Sequence, residues 1–273
     1  MQGEPIPIVT AESVTILEKI AGKVLVAGSH GGIIAAYLGA AAGAHALILN
    51  DAGLGKDHAG ISGLFYLEDI GMAAAAVDCM SARIGDGADM LARGVISHAN
   101  AYAALCGVVA GQSCRDAAER MRAAPPPRSG PPPYAEGRWR VARRSPEVGG
   151  PPEVWALDSV GKLEPEDAGR ILVLGSHGAL HGGRPESALG VDAAAAVFND
   201  AGVGADRIGI SRLPVLAARG IPAATVDCMS ARIGDGRSMW ESGLISYTNA
   251  TASQMGARRA MSVQEFVEAV RAR

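Results

Sequence analysis

Short apolar runs that end in glycine or in a polar pair recur along the chain. Between them lie stretches whose apolar residues return every three or four positions. VLVAG at 24–28 and ILVLG at 171–175 are continuous apolar runs closed by glycine, the pattern of strands buried on both faces. IIAAYLGAAAG at 33–43 follows the first of them with helical spacing and a glycine where a helix would stop. HALILN at 45–50 and AAAVFN at 194–199 predict a second strand. GISGLFYLEDIG at 60–71 and GISRLPVLAARG at 209–220 predict a second helix, and AAAAVD at 73–78 and PAATVD at 222–227 a third strand. Closing helices are announced by Ser-x-x-Asp at Ser113 and Asp116 and by Ser-x-x-Glu at Ser262 and Glu265, both capping-box patterns. Alternating strands and helices predict parallel α/β layers.

The same patterns occur twice. VDCMSARIGDG stands at 77–87 and, letter for letter, at 226–236. KVLVAGSHGG (23–32) matches RILVLGSHGA (170–179), and GVISHAN (94–100) matches GLISYTN (243–249). From Asn50 and Asn199 onward the two copies keep a constant spacing of 149 residues. About 115 residues repeat, a domain-sized unit rather than a solenoid module. The expected fold is α/β, with two tandem, internally duplicated parallel-sheet units related by a pseudo-two-fold. The first spans 9–123 and the second 153–273. Between them the Pro/Arg-rich stretch 124–152 predicts an extended linker whose ends, near Trp139 and Trp155, pack onto a folded unit.

Composition narrows the function classes. A net charge of −3 gives no electrostatic footprint for nucleic acid. No apolar run is long enough to span a bilayer, and MQGEPIPIVTAESV lacks the basic and apolar segments of a secretory signal. Cys79, Cys106, Cys114 and Cys228 form neither a C-x-x-C pair nor a zinc-finger spacing, which fits a reduced cytoplasmic protein. An Ala- and Gly-rich surface suits subunit packing, so a homo-oligomer is an expectation. GSHGG is not a dinucleotide fingerprint, and no cofactor is expected.

In parallel sheets, ligands bind beyond the carboxyl ends of the strands, and three polar motifs per half fall there. The first is Ser29, His30 and Gly31, with Ser176 and His177 as the second copy. Its free amides suit an anion, although a tight turn would look the same. The second is Asn50 and Asp51, with Asn199 and Asp200. It reads either as a turn closed by its own side chains or as a carboxylate that orients a histidine or a polar substrate. The third runs from Asp78 through Cys79, Ser81 and Arg83 to Asp86, repeated as Asp227, Cys228, Ser230, Arg232 and Asp235. There the arginine would either present its fork to a substrate carboxylate or be clamped structurally by the following aspartate. Ser97 and Asn100, with Ser246 and Asn249, would complete the rim, while His98 becomes Tyr247 in the second copy. A metal held by His30, Asp51 and Asp78 has no supporting spacing, and no metal site is expected.

This set suits acyl transfer or hydrolysis of a small carbonyl compound without a cofactor. Ser29, Cys79 or Ser81 and their copies would be the nucleophiles, a histidine the base, and loop amides the oxyanion donors. The alternative is isomerisation. Two α/β halves, each offering a cysteine after a strand, resemble in architecture the aspartate/glutamate racemase superfamily, where thiols on opposite faces of a carbon remove and return a proton. Asp-Cys-Met-Ser departs from that family's Cys-Asn-Thr pattern. A non-catalytic pocket for a small anion is the third reading.

Overall fold

The computed structural model describes residues 4–143 and 150–272. They form two compact units. Unit 1 holds the chain up to Leu54, His58–Ala135 and the tripeptide Gly204–Asp206. Unit 2 holds Gly55–Asp57, Glu136–Val203 and the chain from Arg207 onward. Both are α/β, built on mixed, mostly parallel sheets of five and six strands.

In unit 1 the strands β1 (Ile8–Ala11), β2 (Val24–His30), β3 (Ala46–Asn50) and β4 (Ala74–Val77) lie side by side in parallel. β5 (Ile96–Ala99) joins β4 antiparallel. Helices α1 (Ile33–Ala41) and α2 (Ser62–Asp69) pack on one face. Helices α3 (Gly87–Arg93) and α5 (Cys114–Met121) cover the other, and α4 (Ala101–Leu105) follows β5. Because side chains alternate along a strand, Leu25, Leu47 and Leu49 meet Ala35, Leu64 and Leu67 on the first face. Val24, Val26 and Ile48 meet Met90, Ala117 and Met121 on the second. Every residue of β2, β3 and β4 is buried, which is why these strands read as continuous apolar runs.

Unit 2 repeats this order with β7 (Val154–Leu157), β8 (Ile171–His177), β9 (Ala195–Asn199) and β10 (Ala223–Val226) parallel, and β11 (Ile245–Thr248) antiparallel to β10. Helices α6 (Arg212–Ala218), α7 (Gly236–Ser242), α8 (Ala250–Gln254) and α9 (Val263–Arg271) complete it. The Ser262–Glu265 capping box at α9 forms in both directions, and Ser113 accepts the Asp116 amide at α5.

Two differences from the expected layout stand out. Part of the Pro-rich connector is built into a sheet: Arg138–Ala142 forms β6, antiparallel to β7, and supplies the sixth strand. Its Arg138 forks onto the buried Asp167 at 2.7 and 2.8 Å and lies over the Trp155 ring at 4.4 Å. Residues 144–149 of the linker lie outside the described residues. The second difference is that no helix follows β8. Gly182 and Gly183, at φ +55° and +71°, and then Pro185 break the segment into two single 3-10 turns.

Among the described residues no helix is long and apolar enough to cross a membrane.

Candidate active site

The register brings the carboxyl ends of β2, β3 and β4 together: His30 pairs with Asn50, and Asn50 with Val77. Glycine allows the close approach. A Cβ at Gly28 would lie 2.3 Å from the Asp86 nitrogen, and one at Gly60 would lie 2.0 Å from the Asp51 carbonyl oxygen. The three polar loops are packed through backbone at these points, and no side chain fits between them.

The loop after β3 is the strained part. Ala52, Gly53, Leu54 and Gly55 all have positive φ (50°, 73°, 63° and 68°), followed by Asp57 and His58 at 53° and 55°. The second copy does the same at Ala201, Gly202, Val203 and Gly204, then at Asp206 and Arg207. A left-handed residue other than glycine costs roughly 1–2 kcal/mol, and for a β-branched valine the conformation is rarer still. Side chains hold the loop in place. Asn50 Oδ1 accepts the Ala52 amide at 2.9 Å, and Asp51 Oδ1 accepts the amides of Gly53 and Cys79, each at 3.0 Å. Asn199 and Asp200 repeat these contacts. Such strain persists only where the surroundings over-determine it, and it concentrates at working sites.

Asp51 thereby ties the strained loop to the start of the VDCMSARIGDG string. The ligand atoms of Asp51, Asp78 and Cys79 lie within 4.8 Å of one another, as do those of Asp200, Asp227 and Cys228. These are the donors the fold brings together. His30, whose grouping with Asp51 and Asp78 has no supporting spacing in the sequence, is not among them; the third member is Cys79.

The electrostatics differ by residue. Burial raises the Asp200 carboxyl above the usual carboxylate range, and the charge of Asp227 adds to this, against hydrogen bonds from Ser246 and the amides of Cys228 and Gly202. Burial, and then the Asp200 and Asp227 charges, push the Cys228 thiol up to about 12. A thiol raised this far stays protonated at pH 7 and is not a ready nucleophile. Burial also lowers His30 to about 4, leaving a neutral ring. Its Nδ1 accepts the Gly32 amide at 3.1 Å, which puts the proton on Nε2. His177 Nδ1 accepts from Ala179 in the same way at 3.3 Å, and its ring meets His181 edge-on at 5.6 Å.

Other sequence-derived residues are drawn into structural work. Ser29 Oγ accepts the Val14 amide at 3.0 Å, and Ser176 Oγ accepts that of Val160 at 2.9 Å. Ser81 Oγ donates to the Asp78 carbonyl and accepts the Val95 amide, a bond pair that Ser230 repeats with Asp227 and Leu244. Gly31 sits where a Cβ would strike the Gly60 carbonyl at 2.5 Å.

Asp86 does not clamp Arg83. It caps α3 by accepting the Asp89 amide, and Arg83 Nε instead donates to Asp206 at 2.8 Å within unit 1, where Arg93 also reaches Asp206. In unit 2, Arg232 Nε donates to Asp57 at 2.8 Å, while Asp235 caps α7 and lies 3.6 Å from Arg232. The tripeptides that carry these aspartates also cover the cysteine backbone: Ala205 donates to the Cys79 carbonyl, and Lys56 to that of Cys228. Asp57 and Asp206 occupy matching positions in the repeat, a signal the motif reading passed over.

Asn100 and Asn249 are placed away from the rim. Because β5 and β11 run antiparallel to their neighbours, these residues end beside Ala74 and Ala223, at the far end of β4 and β10 from Asp78 and Asp227. There Asn100 caps α4, and its amide group donates to the carbonyls of Leu64 and Met72.

No family model, curated protein or solved structure matches the chain, so its function rests on the chemistry of these residues.

Proposed function

We propose that this chain is an enzyme, built by internal duplication, that hydrolyses a small polar carbonyl substrate. Asp51 and Asp200 serve as the general bases. The observation that carries this reading is the Asp200 carboxyl, buried, raised in pKa and paired with a second carboxylate and a neutral thiol. Two carboxyl groups in unlike surroundings are a common basis for dividing acid and base roles, and perturbed titratable groups concentrate at working sites. Asp200 draws a proton from the attacking water and returns it to the leaving heteroatom as the bond from that atom to the carbonyl carbon breaks, while the Cys228 thiol, beside it, keeps its proton and offers a hydrogen bond to the developing oxyanion.

Water rather than a protein nucleophile fits the chemistry best. The hydroxyls of Ser29 and Ser81 are engaged with backbone, and the thiol of Cys228 is far from its ionised form. The same thiol argues against the two-cysteine isomerase, whose chemistry needs one thiolate poised near neutrality.

The test is a panel of small esters, amides and lactams in ¹⁸O-labelled water, run beside a deuterium-exchange assay at the carbon next to the carbonyl. Hydrolysis predicts ¹⁸O incorporation that the double variant Asp51→Asn/Asp200→Asn reduces by about 10²–10⁴-fold. Carbon-bound deuterium without ¹⁸O would transfer the carboxylates to isomerisation. Turnover that survives in the folded double variant would remove these carboxylates from the chemistry. Activity that disappears with a chelator and returns with a divalent ion would make Asp51, Asp78 and Cys79 ligands instead.

A further inference from the structure

The two halves of the sequence part company on one helix face, directly after the string they share. GADMLARG at 87–94 becomes GRSMWESG at 236–243. The buried Gly87 and Met90 of α3 keep their counterparts, Gly236 and Met239, in α7. Four positions around them do not: Ala88, Asp89, Ala92 and Arg93 become Arg237, Ser238, Glu241 and Ser242. A fifth change accompanies these. The tripeptide packed into unit 1 carries Ala205, and the matching one in unit 2 carries Lys56.

In unit 1 the charges close on one another. Arg93 Nε donates to Asp89 at 2.9 Å and its Nη2 to Asp206 at 2.6 Å. Arg83 gives its amide to Asp89 and its Nε to Asp206, each at 2.8 Å. Two cations and two carboxylates are thereby matched. Unit 2 has serines in place of Asp89 and Arg93, and there a cavity of about 360 Å³ opens, lined by Lys56, Arg237, Ser238, Glu241 and Ser242. Lys56 Nζ donates only to neutral oxygens, the Ser242 hydroxyl at 2.9 Å and the Ser230 carbonyl at 3.4 Å. Arg237 is drawn over the Trp139 ring at 4.4 Å and does not close on Glu241, one turn further along α7.

Among the described residues no carboxylate pairs with Lys56 or Arg237, and no cation pairs with Glu241. The other charged walls, Arg232 and Asp235, are matched: Arg232 meets Asp57 at 2.8 Å and Asp235 at 3.6 Å. Lys56 is half-buried and Arg237 and Glu241 are exposed, so a solute can reach all three. The walls are charged or hydroxyl-bearing throughout, which suits a hydrophilic guest.

We infer that this cavity binds a small zwitterion, an α-amino acid with an uncharged polar side chain, its carboxylate received by Lys56 and Arg237 and its ammonium by Glu241. Each unmatched charge of the wall then meets its opposite, whereas a simple anion would face Glu241 with like charge. The volume falls in the ordinary range for small-molecule pockets. Nothing in the inference depends on Asp51, Asp200 or the proposed hydrolysis. Because Asp89 and Arg93 hold the equivalent positions in unit 1, one site per chain is expected.

The test is NMR titration of the full chain with serine, asparagine and glutamine, each beside its N-acetyl and carboxamide derivatives, which remove one charge at a time. At least one of the three should bind saturably, one per chain, and shift the amide signals of Ser238, Glu241 and Ser242. Each single-charge derivative should bind at least about five-fold more weakly, the scale of a partly exposed ion pair. Lys56→Met should remove most of the penalty for the carboxamide, and Glu241→Gln that for the N-acetyl form. Ser238→Asp/Ser242→Arg gives unit 2 the residues that close unit 1; it should abolish binding of every form while Lys56, Arg237 and Glu241 stay in place. No saturable binding of any of the three, equal binding of amino acid and derivatives, a preference that survives both Lys56→Met and Glu241→Gln, or unaltered binding in the folded double variant would each overturn the assignment.

Discussion

Asp200 Oδ1 accepts the Cys228 amide at 3.0 Å, so a single carboxylate both pins a strained left-handed loop and stands over the cysteine of the repeated string. Asp51 and Cys79 do the same in unit 1. Position and pKa then separate what these residues do.

Asp200→Asn keeps an oxygen to accept the Cys228 and Gly202 amides, so the variant should fold. Its pH dependence should change in a defined direction. A carboxyl whose folded pKa is raised favours the native state below the unfolded value of about 4, and that contribution is lost as pH rises through the folded value. Urea unfolding from pH 4 to pH 7 should therefore show wild type losing stability relative to Asp200→Asn as pH rises. A constant difference across that window would mean that the carboxyl is not perturbed.

The cysteine thiols give a second check. With Cys114 and Cys228 both pushed up to about 12 by burial, native protein should resist iodoacetamide at pH 7.5 at these two positions and react at both once unfolded. Mass mapping of the alkylated peptides reads the result. Rapid native labelling of Cys228 would restore the nucleophilic-thiol reading.

Gly60 carries the close packing beneath Asp51. Gly60→Ala places a Cβ 2.0 Å from a backbone oxygen and should cost more than about 3 kcal/mol or prevent folding. Gly130→Ala, where nothing lies within 4 Å, is the matched control and should be silent in the same denaturation assay. Equal behaviour of the two would show that the loops can move apart.

Val203, at φ 63°, is the β-branched residue in the second left-handed loop. Replacing it with glycine relieves roughly 1–2 kcal/mol of conformational strain and returns about 0.4–1 kcal/mol to the unfolded chain. The net expectation is a gain of up to about 1.6 kcal/mol, seen as a higher urea midpoint. A marked loss instead would mean that the valine side chain does packing work that outweighs the strain.

Arg138→Met tests the connector. Among the described residues it leaves the buried Asp167 with Arg170, at 2.8 Å, as its ionic partner, and it should cost about 2–4 kcal/mol at pH 7. Burial alone would raise Asp167, but the Arg138 and Arg170 contacts and the Glu164 amide outweigh it and hold the carboxyl below its ordinary range. The gap between wild type and variant should thus be full above about pH 4 and close as pH falls through the depressed value. A gap that widens in acid would contradict the pairing.

The strands were legible because all of β2, β3 and β4 is buried, and burial on both faces demands unbroken apolar runs. The caps at Ser113 and Ser262 were legible because capping is local chemistry. The residues that escaped did so for tertiary reasons. Nothing in Ala52, Leu54 or Val203 favours a left-handed backbone; the Asn50, Asp51 and Cys79 contacts impose it. Asn100 reads as a rim residue only if the strand before it is parallel, and strand direction is not written in alternation. In RWRVA the alternating pattern of β6 was present but overshadowed by the surrounding prolines. Asp206 is not legible as the partner of Arg83 because the two lie far apart along the chain, whereas Asp86 is close to it in sequence.

The placement of Gly204–Asp206 in unit 1 has a consequence for biosynthesis. The Cys79 carbonyl, Arg83 and Arg93 find their partners on residues that leave the ribosome only after β9 has been made. The amino-terminal half of the nascent polypeptide therefore waits, with that corner open, until most of the chain has been translated.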